Sequence, residues 1–164
     1  MKNYKLQQIK EAYYSLKELS GNKGFYVPLV KNIKLIDIEL EALNEMKAPT
    51  KDFYEYLKEK EALLIKHSTK DDNGNPVKTQ TTIDGSPYVQ FDIPEEMQET
   101  LNAANSALVE KYSTVLEDMR SRELRYVEAM NSESDIVLHK IKIDDLPDMT
   151  PELFELIEEM VKYD

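Results

Sequence analysis

The chain has 164 residues, a formal net charge of −11 and no cysteine. With 41% apolar residues, 32% charged residues and four glycines, it has the composition of a helix-rich soluble protein that is long enough to bury a core. The lack of cysteine excludes disulfides, thiolate metal sites and cysteine nucleophiles. No apolar run approaches the roughly 20 residues of a membrane helix, and the N-terminal segment lacks the apolar stretch of a secretory signal. We therefore expect a cytoplasmic protein without a membrane partner.

The charge is unevenly distributed along the chain. Residues 1–70 carry thirteen lysines against ten acidic residues, a net charge of +3, whereas the last 21 residues carry eight acidic residues and one lysine, a net charge of −7. All three arginines lie between positions 120 and 125. This distribution disfavours direct nucleic-acid binding through a basic face. The acidic end is either a solvated, solubilising face or a surface for a protein partner.

The N-terminal part predicts three helices, at about 3–19, 28–47 and 50–67. In each, apolar residues recur every three or four positions, which is the helical period. The second helix has a heptad-like seam, typical of one helix packed lengthwise on another. That seam consists of Leu29, Ile33, Ile36, Leu40 and Leu43.

Glycine and proline mark the ends of these helices. We expect the segment 20–24 (SGNKG) to end the first helix with the glycine that a left-handed C-cap favours. Pro28 fits the first turn of the second helix, where a missing N–H has no cost. Pro49 interrupts the apolar pattern, and Thr50 then caps the third helix.

The segment from 76 to 92 predicts a β-hairpin, with strands at about 76–83 and 88–92. Turn-forming residues precede the first strand at 72–75 and join the two strands at 84–87. An isolated hairpin is marginally stable in water. Its apolar face is therefore expected to lie on a helix or to pair with another strand.

The C-terminal half predicts one long helix at about 94–130, a strand at 136–143 and a short helix at 151–162. Asp92 is expected to cap the long helix, and Thr150 the short one. In the strand, alternate residues from Val137 to Ile143 share one face. This strand would extend the hairpin into a three-stranded sheet.

These elements predict an α+β, mainly α, fold in a single domain. The predicted architecture is an elongated antiparallel bundle of long helices with a β-hairpin insert. The C-terminal strand completes a small antiparallel sheet.

The sequence contains no motif for catalysis, and we predict neither enzymatic activity nor a cofactor or metal. The segment 71–75 resembles the start of a calcium loop, but Gln80 stands at the twelfth position, where a bidentate acid is required. A turn is the better interpretation. His67 and His139 are the only histidines and do not form a metal motif, and the glycine spacing of phosphate-binding loops is absent.

Aromatic and acidic residues are the candidates for an interaction surface. Aromatic side chains are common anchors of protein interfaces, although the tyrosines could equally complete the core. The candidate residues are Tyr54, Tyr56, Tyr88, Phe91, Asp144, Asp145, Asp148, Glu152, Glu155, Glu158 and Glu159.

Three segments resemble a family of small acidic proteins of unknown function encoded in tailed-phage genomes. They are 26–43 (YVPLVKNIKLIDIELEAL), 70–77 (KDDNGNPV) and 141–157 (IKIDDLPDMTPELFELI). The chain departs from the family pattern in its long insert at 79–94 and in its extended third long helix. The resemblance implies a phage origin and a non-enzymatic role, and it assigns no binding residues.

Two functions follow as hypotheses. The first is a structural or interaction protein of a phage, either a virion component or an assembly factor, that acts through helix packing and strand pairing and can form homo-oligomers. The alternative is an acidic inhibitor of a host or anti-phage defence protein, acting as a DNA mimic. Both place the protein in the host cytoplasm or in the virion, with a phage or host protein as partner.

Overall fold

The computed structural model describes residues 1–83 and 86–163 and is mainly helical. Within these residues there are six α-helices, one two-stranded antiparallel sheet and one short parallel strand pair. No helix in the described part of the chain is both long and apolar enough to span a membrane. The helices are α1 (Asn3–Glu18), α2 (Lys23–Met46), α3 (Lys51–His67), α4 (Glu95–Lys111), α5 (Ser113–Asn131) and α6 (Pro151–Ile157), and the strands are β1 (Lys78–Ile83), β2 (Ser86–Phe91), β3 (Ile141–Lys142) and β4 (Val161–Lys162).

The chain divides into two compact units. Unit 1 comprises Met1–Ala48 and Ser121–Asp164, and unit 2 comprises Pro49–Arg120. The single-domain organisation expected from chain length stays a prediction.

Unit 1 contains an apolar core built by α1, α2, α6 and the C-terminal part of α5 with the β3 segment. The seam predicted on α2 is buried along its whole length, and Phe25, one turn before it, is fully buried. Ile141 of β3 and Ile157 of α6 are also fully buried. The core cluster consists of Leu6, Ile9, Leu16, Phe25, Leu29, Ile33, Ile36, Leu40, Leu43, Met130, Leu138, Ile141, Ile157 and Met160.

A buried asparagine on α2 fixes the segment before β3. The Asn32 side chain is fully buried. Its Nδ2 donates to the carbonyl of His139 at 2.9 Å, and its Oδ1 accepts from the His139 N–H at 2.7 Å. The amide side chain thus pairs with the His139 backbone as a neighbouring strand would, and satisfies two polar groups that would be costly to bury unpaired.

Two predictions about the connection between α1 and α2 are wrong. The helix begins at Lys23, five residues before Pro28, because the side chain of Asn22 accepts from the Phe25 N–H and caps it. Pro28 therefore lies inside the helix. The predicted glycine cap after α1 is also wrong, since α1 ends at Glu18, its C-cap Leu19 has extended backbone, and the glycine with positive φ in the described chain is Gly74.

The third strand does not join the hairpin strands. β3 has only two residues and pairs in parallel with β4, Ile141 opposite Val161. The predicted alternation is wrong as well: Val137 is exposed, whereas Leu138 and Ile141 are buried. Helix α6 consequently ends at Ile157, and a 3₁₀ turn at Glu158–Met160 leads into β4, where the prediction extended the helix to 162. Thr150 caps α6 as predicted.

In unit 2, α3 packs against α4. Thr50 caps α3 as predicted, accepting from the Phe53 N–H at 3.2 Å. The single long helix predicted at 94–130 is wrong, because the backbone leaves helical geometry at Tyr112 (φ −105°, ψ 16°) and separates α4 from α5. Asp92 is not the cap of α4: Pro94 precedes the helix, and the Asp92 backbone is bonded to Thr69 and Val77.

The antiparallel sheet of unit 2 pairs Lys78 with Phe91 at its base and Ile83 with Ser86 at its end. Residues 84–85 of the turn predicted at 84–87 lie outside the described residues. At the base, the Thr69 N–H donates to the Asp92 carbonyl at 2.8 Å, and the Val77 N–H donates to the Thr69 carbonyl at 2.9 Å. These bonds anchor the sheet to the C-terminal end of α3.

Candidate interaction surfaces

An apolar groove runs between α3 and α4. Its volume is about 410 Å³. Its floor includes Leu108, which is buried, and three alanines that leave room above it. Small side chains on two packed helices allow a third helix to approach closely, at the usual helix–helix distance of about 8–10 Å. The residues that line the groove are Glu59, Ala62, Leu63, Lys66, Ala104, Ala107, Leu108 and Lys111.

A charged cluster closes one end of this groove. Lys111 Nζ contacts both carboxylate oxygens of Glu59 at 2.7 Å, and the Tyr112 hydroxyl donates to Glu59 Oε1 at 2.8 Å. The bonds from Lys111 and Tyr112 hold the pKa of Glu59 below its ordinary value, because they stabilise the carboxylate form. The same contact with Glu59 raises the pKa values of Lys111 and Tyr112.

The other end of the groove carries Lys66, in the last turn of α3. The Glu59–Lys111 pair is neutral in sum, so the uncompensated charge at the groove rim is positive. A ligand seated there would be favoured by a carboxylate placed against Lys66.

The two tyrosines predicted on α3 have different environments. Tyr54 is 53% exposed and is available at the surface. Tyr56 is only 6% exposed and is not, because its ring packs between Phe53 at 5.8 Å and Tyr112 at 5.6 Å, between ring centroids. The place of Tyr56 in the predicted surface is therefore corrected: it belongs to the small buried part of unit 2.

The aromatic residues predicted on β2 also differ from each other. Tyr88 is 49% exposed. Phe91 is half-buried at the base of the sheet, and the Lys78 ammonium lies 4.7 Å from its ring centroid. Such a contact is a cation–π interaction, so Phe91 supports the sheet and only Tyr88 is presented at the surface.

The acidic residues of the C-terminal segment are not all free surface. Asp145 lies at the start of α2, where Asn22 Nδ2 donates to it at 3.0 Å and where a Cβ built at Gly24 would overlap its carboxylate. Glu159 is paired with the Met1 ammonium at 3.3 Å and with Lys5 at 3.9 Å. The other five predicted acids are exposed: Asp144, Asp148, Glu152, Glu155 and Glu158.

Glu152 has a structural role at the start of α6. Bonds from its own backbone N–H and from Thr150 lower the pKa of its carboxyl group. An ionised acid in the first turn also interacts favourably with the helix dipole. The exposed carboxylates thus include one that stabilises a helix end.

The segment 71–75 forms a turn, as its sequence indicates. Asp71 Oδ1 accepts from the N–H groups of Asn73 and Asn75 at 2.9 and 2.8 Å, and Gly74 has φ +81°. The N–H of Asn75, followed by that of Asn73, lowers the pKa of Asp71. Across residues 1–83 and 86–163, no group of three or more His, Asp or Glu side chains is close enough to hold a metal ion.

No protein-family model, curated protein or solved structure matches this chain. The arrangement of its own residues is therefore the basis for a functional proposal.

Sequence reasoning missed the groove between α3 and α4. The spacing of apolar residues along a helix does not show where two helices leave a space between them. The useful signal is the run of alanines at 104 and 107 beside a leucine, with Ala62 on the partner helix. Small residues at such spacing are typical of close helix approach.

Proposed function

We propose that the chain is a non-enzymatic, phage-encoded interaction protein, a virion component or assembly factor, that binds a helix of a partner protein in the groove between α3 and α4. The observation that carries this proposal is the incomplete burial of unit 2. Among its described residues, the buried apolar side chains are Tyr56, Leu101 and Leu108. A helix pair with so small a core gains stability by burying its remaining apolar surface against another element.

The shape and charge of the groove indicate the chemistry of the partner. The alanine floor fits a helix with an apolar stripe, read at the i, i+3, i+4 and i+7 spacing of helix-in-groove recognition. Lys66 at the rim favours an acidic residue at one end of that stripe. The partner is thus an amphipathic helix with an apolar face and a carboxylate opposite Lys66.

Site-specific photo-crosslinking tests this proposal. A photoreactive side chain is placed at Ala107, in the groove, or at Ser106, the adjacent exposed residue on the opposite side of α4. Each full-length variant is irradiated in the cells that naturally produce it, and the crosslinked peptide of the partner is mapped by mass spectrometry. We expect an adduct from Ala107 that maps to an amphipathic helix of one protein, and little from Ser106.

Three outcomes would contradict the groove proposal. They are equal yields at the two positions, an adduct that maps outside a helix, and an adduct formed only with a second copy of this chain. The variant Ala104→Glu provides a further check, because a carboxylate in the groove floor should remove the Ala107 adduct. An unchanged far-UV circular dichroism spectrum would show that this variant still folds.

A second function, the acidic inhibitor, is favoured by the five exposed carboxylates of the C-terminal segment. This hypothesis predicts partner binding that competes with duplex DNA and weakens steeply with added salt. Groove binding predicts apolar contacts that tolerate salt. The basic balance of residues 1–70 counts against a uniformly DNA-like surface.

A further inference from the structure

The β1–β2 sheet has one open backbone edge. The Asp92 N–H donates to the Val77 carbonyl at 3.0 Å. This bond shows which residue pairs along the two strands are hydrogen-bonded to each other. In an antiparallel pair, hydrogen-bonded and non-hydrogen-bonded positions alternate, so Lys78 opposite Phe91 is a non-hydrogen-bonded pair. With the observed register, the same holds for Gln80 opposite Val89 and for Thr82 opposite Pro87.

This alternation points the N–H and C=O groups of Lys78, Gln80 and Thr82 away from β2. Within the described residues, these three backbones make no hydrogen bond beyond the ladder. The side chains of all three residues are exposed. The outer edge of β1 is therefore a row of unpaired backbone donors and acceptors, the template on which another strand can add.

The outer edge of β2 is a poorer template. Its corresponding residues are Pro87, Val89 and Phe91, and proline has no N–H to donate. Residues of β2 also line a recess of about 550 Å³ with Leu64 of α3 and Leu101 of α4. Strand addition is thus favoured at β1.

We infer that β1 pairs antiparallel with β1 of a second copy of this chain. The product is a continuous four-stranded sheet in the order β2, β1, β1 of the second copy, β2 of the second copy. This pairing uses a surface separate from the α3–α4 groove. It goes beyond the proposed function, and each can hold or fail independently of the other.

The sequence of β1 is suited to pairing with itself. If Gln80 lies opposite Gln80 of the second copy, Lys78 lies opposite Thr82, and all outward residues fall in hydrogen-bonded pairs. This register gives about six hydrogen bonds between the copies. It also separates the two Lys78 residues by four positions, roughly 13 Å at about 3.3 Å per residue, and so avoids placing like charges opposite each other.

The base of the sheet is already ordered for such pairing. The two Thr69 backbone bonds hold the sheet to the end of α3. An edge held in its bound conformation has less conformational entropy to lose on association. A symmetric, closed dimer of this type leaves neither β1 edge exposed.

Matched proline variants test the pairing. Gln80→Pro removes the outward N–H at the centre of the β1 edge, and Val89→Pro removes the outward N–H of its cross-strand partner on the β2 edge. The mass of each full-length protein is measured by light scattering over about a hundredfold concentration range, since dimerisation follows mass action. We expect wild type and Val89→Pro to approach twice 19.1 kDa, and Gln80→Pro to dissociate at least about tenfold more readily.

A wild-type chain that stays at 19.1 kDa would overturn the inference, as would a Gln80→Pro variant that dimerises like wild type. Residue-resolved hydrogen exchange on the wild type gives an answer that does not depend on variant folding. The amides of Gln80 and Thr82 should become protected as concentration rises, while that of Val89 should not. Equal behaviour of the two edges would contradict pairing at β1.

Discussion

In unit 1 the apolar faces of α1, α2 and α6 close on one another, whereas in unit 2 those of α3 and α4 stay partly exposed. Fourteen apolar side chains form one buried cluster in unit 1. Among the described residues of unit 2, the buried apolar side chains are Tyr56, Leu101 and Leu108. The helices α1, α3 and α4 have 16, 17 and 17 residues, so helix length does not explain the difference, which lies in how many elements surround each helix.

This difference indicates that the two units of the chain have different roles. Unit 1 has α1, α2, α6, the C-terminal part of α5 and a strand segment around a shared core, and such a core stabilises a fold by itself. Unit 2 has the α3–α4 pair, the N-terminal part of α5 and a two-stranded sheet, and both kinds of element gain stability from additional burial. We therefore propose that unit 1 supplies stability and that unit 2 carries the partner-binding surface.

Three leucine-to-alanine substitutions compare burial in the two units, because each removes the same side-chain atoms. Leu29→Ala, in the closed core of unit 1, should lower the free energy of unfolding by about 3–5 kcal/mol, because it leaves a cavity. Leu108→Ala, beside the open groove, should cost about 1–2 kcal/mol, since neighbouring side chains and solvent can fill the space. Leu124→Ala, at an exposed site on α5, is the control and should change stability by less than about 0.5 kcal/mol. Chemical denaturation of each variant measures these changes, and equal losses at Leu29 and Leu108 would remove the distinction between the units.

A change of pH is expected to have a smaller effect on the free energy of unfolding, through Glu59 in unit 2. The folded-state pKa of Glu59 is lowered from 4.5, so the folded chain binds fewer protons there than the unfolded chain does. The stabilisation from Glu59 is therefore complete above pH 4.5 and is lost as pH falls through the folded-state pKa. The difference in unfolding free energy between wild type and Glu59→Gln should shrink over that range. Glu61→Gln, on the same helix and outside the cluster, controls for the loss of one negative charge, and an identical pH dependence for both variants would contradict the role of the cluster.

The local features of the helices show which parts of the fold the sequence predicts well. The 4-3-4-3 spacing from Leu29 to Leu43 correctly identifies the buried face of α2, because apolar residues that recur with the helical period lie on one face of the helix, and that face packs on the core. Thr50 and Thr150 cap helices as predicted, since a cap depends on residues within one turn.

The errors concern choices that depend on distant residues. Asn22 and Pro28 both carry a helix-start signal, and the capping bond of Asn22 places the start earlier. The strand at 141–142 pairs with 161–162, two residues that local patterns assign to a helix. Asn32 satisfies the backbone of His139, 107 residues away. Its position inside an apolar seam is a signal for a buried polar contact, but its partner cannot be read from spacing.

The surface residues follow the same rule. Tyr54 is exposed, whereas Tyr56, two positions later on α3, is buried. The burial of Tyr56 depends on its contact with the ring of Tyr112, a residue distant in the sequence. The alanine groove likewise exists only because α3 and α4 meet. Local sequence predicts that a helix has an apolar face, whereas tertiary contacts decide whether that face is covered.

Residue-resolved hydrogen exchange of the full-length protein tests the central claim most directly. Alone, the chain should show slow exchange in α2 from Leu29 to Leu40, limited by global unfolding, and faster exchange in α3 and α4, limited by local opening. Addition of the partner helix identified by crosslinking at Ala107 should slow exchange in α3 and α4. Exchange in α3 and α4 as slow as in α2 without any partner would contradict the account, because unit 2 would then be complete on its own.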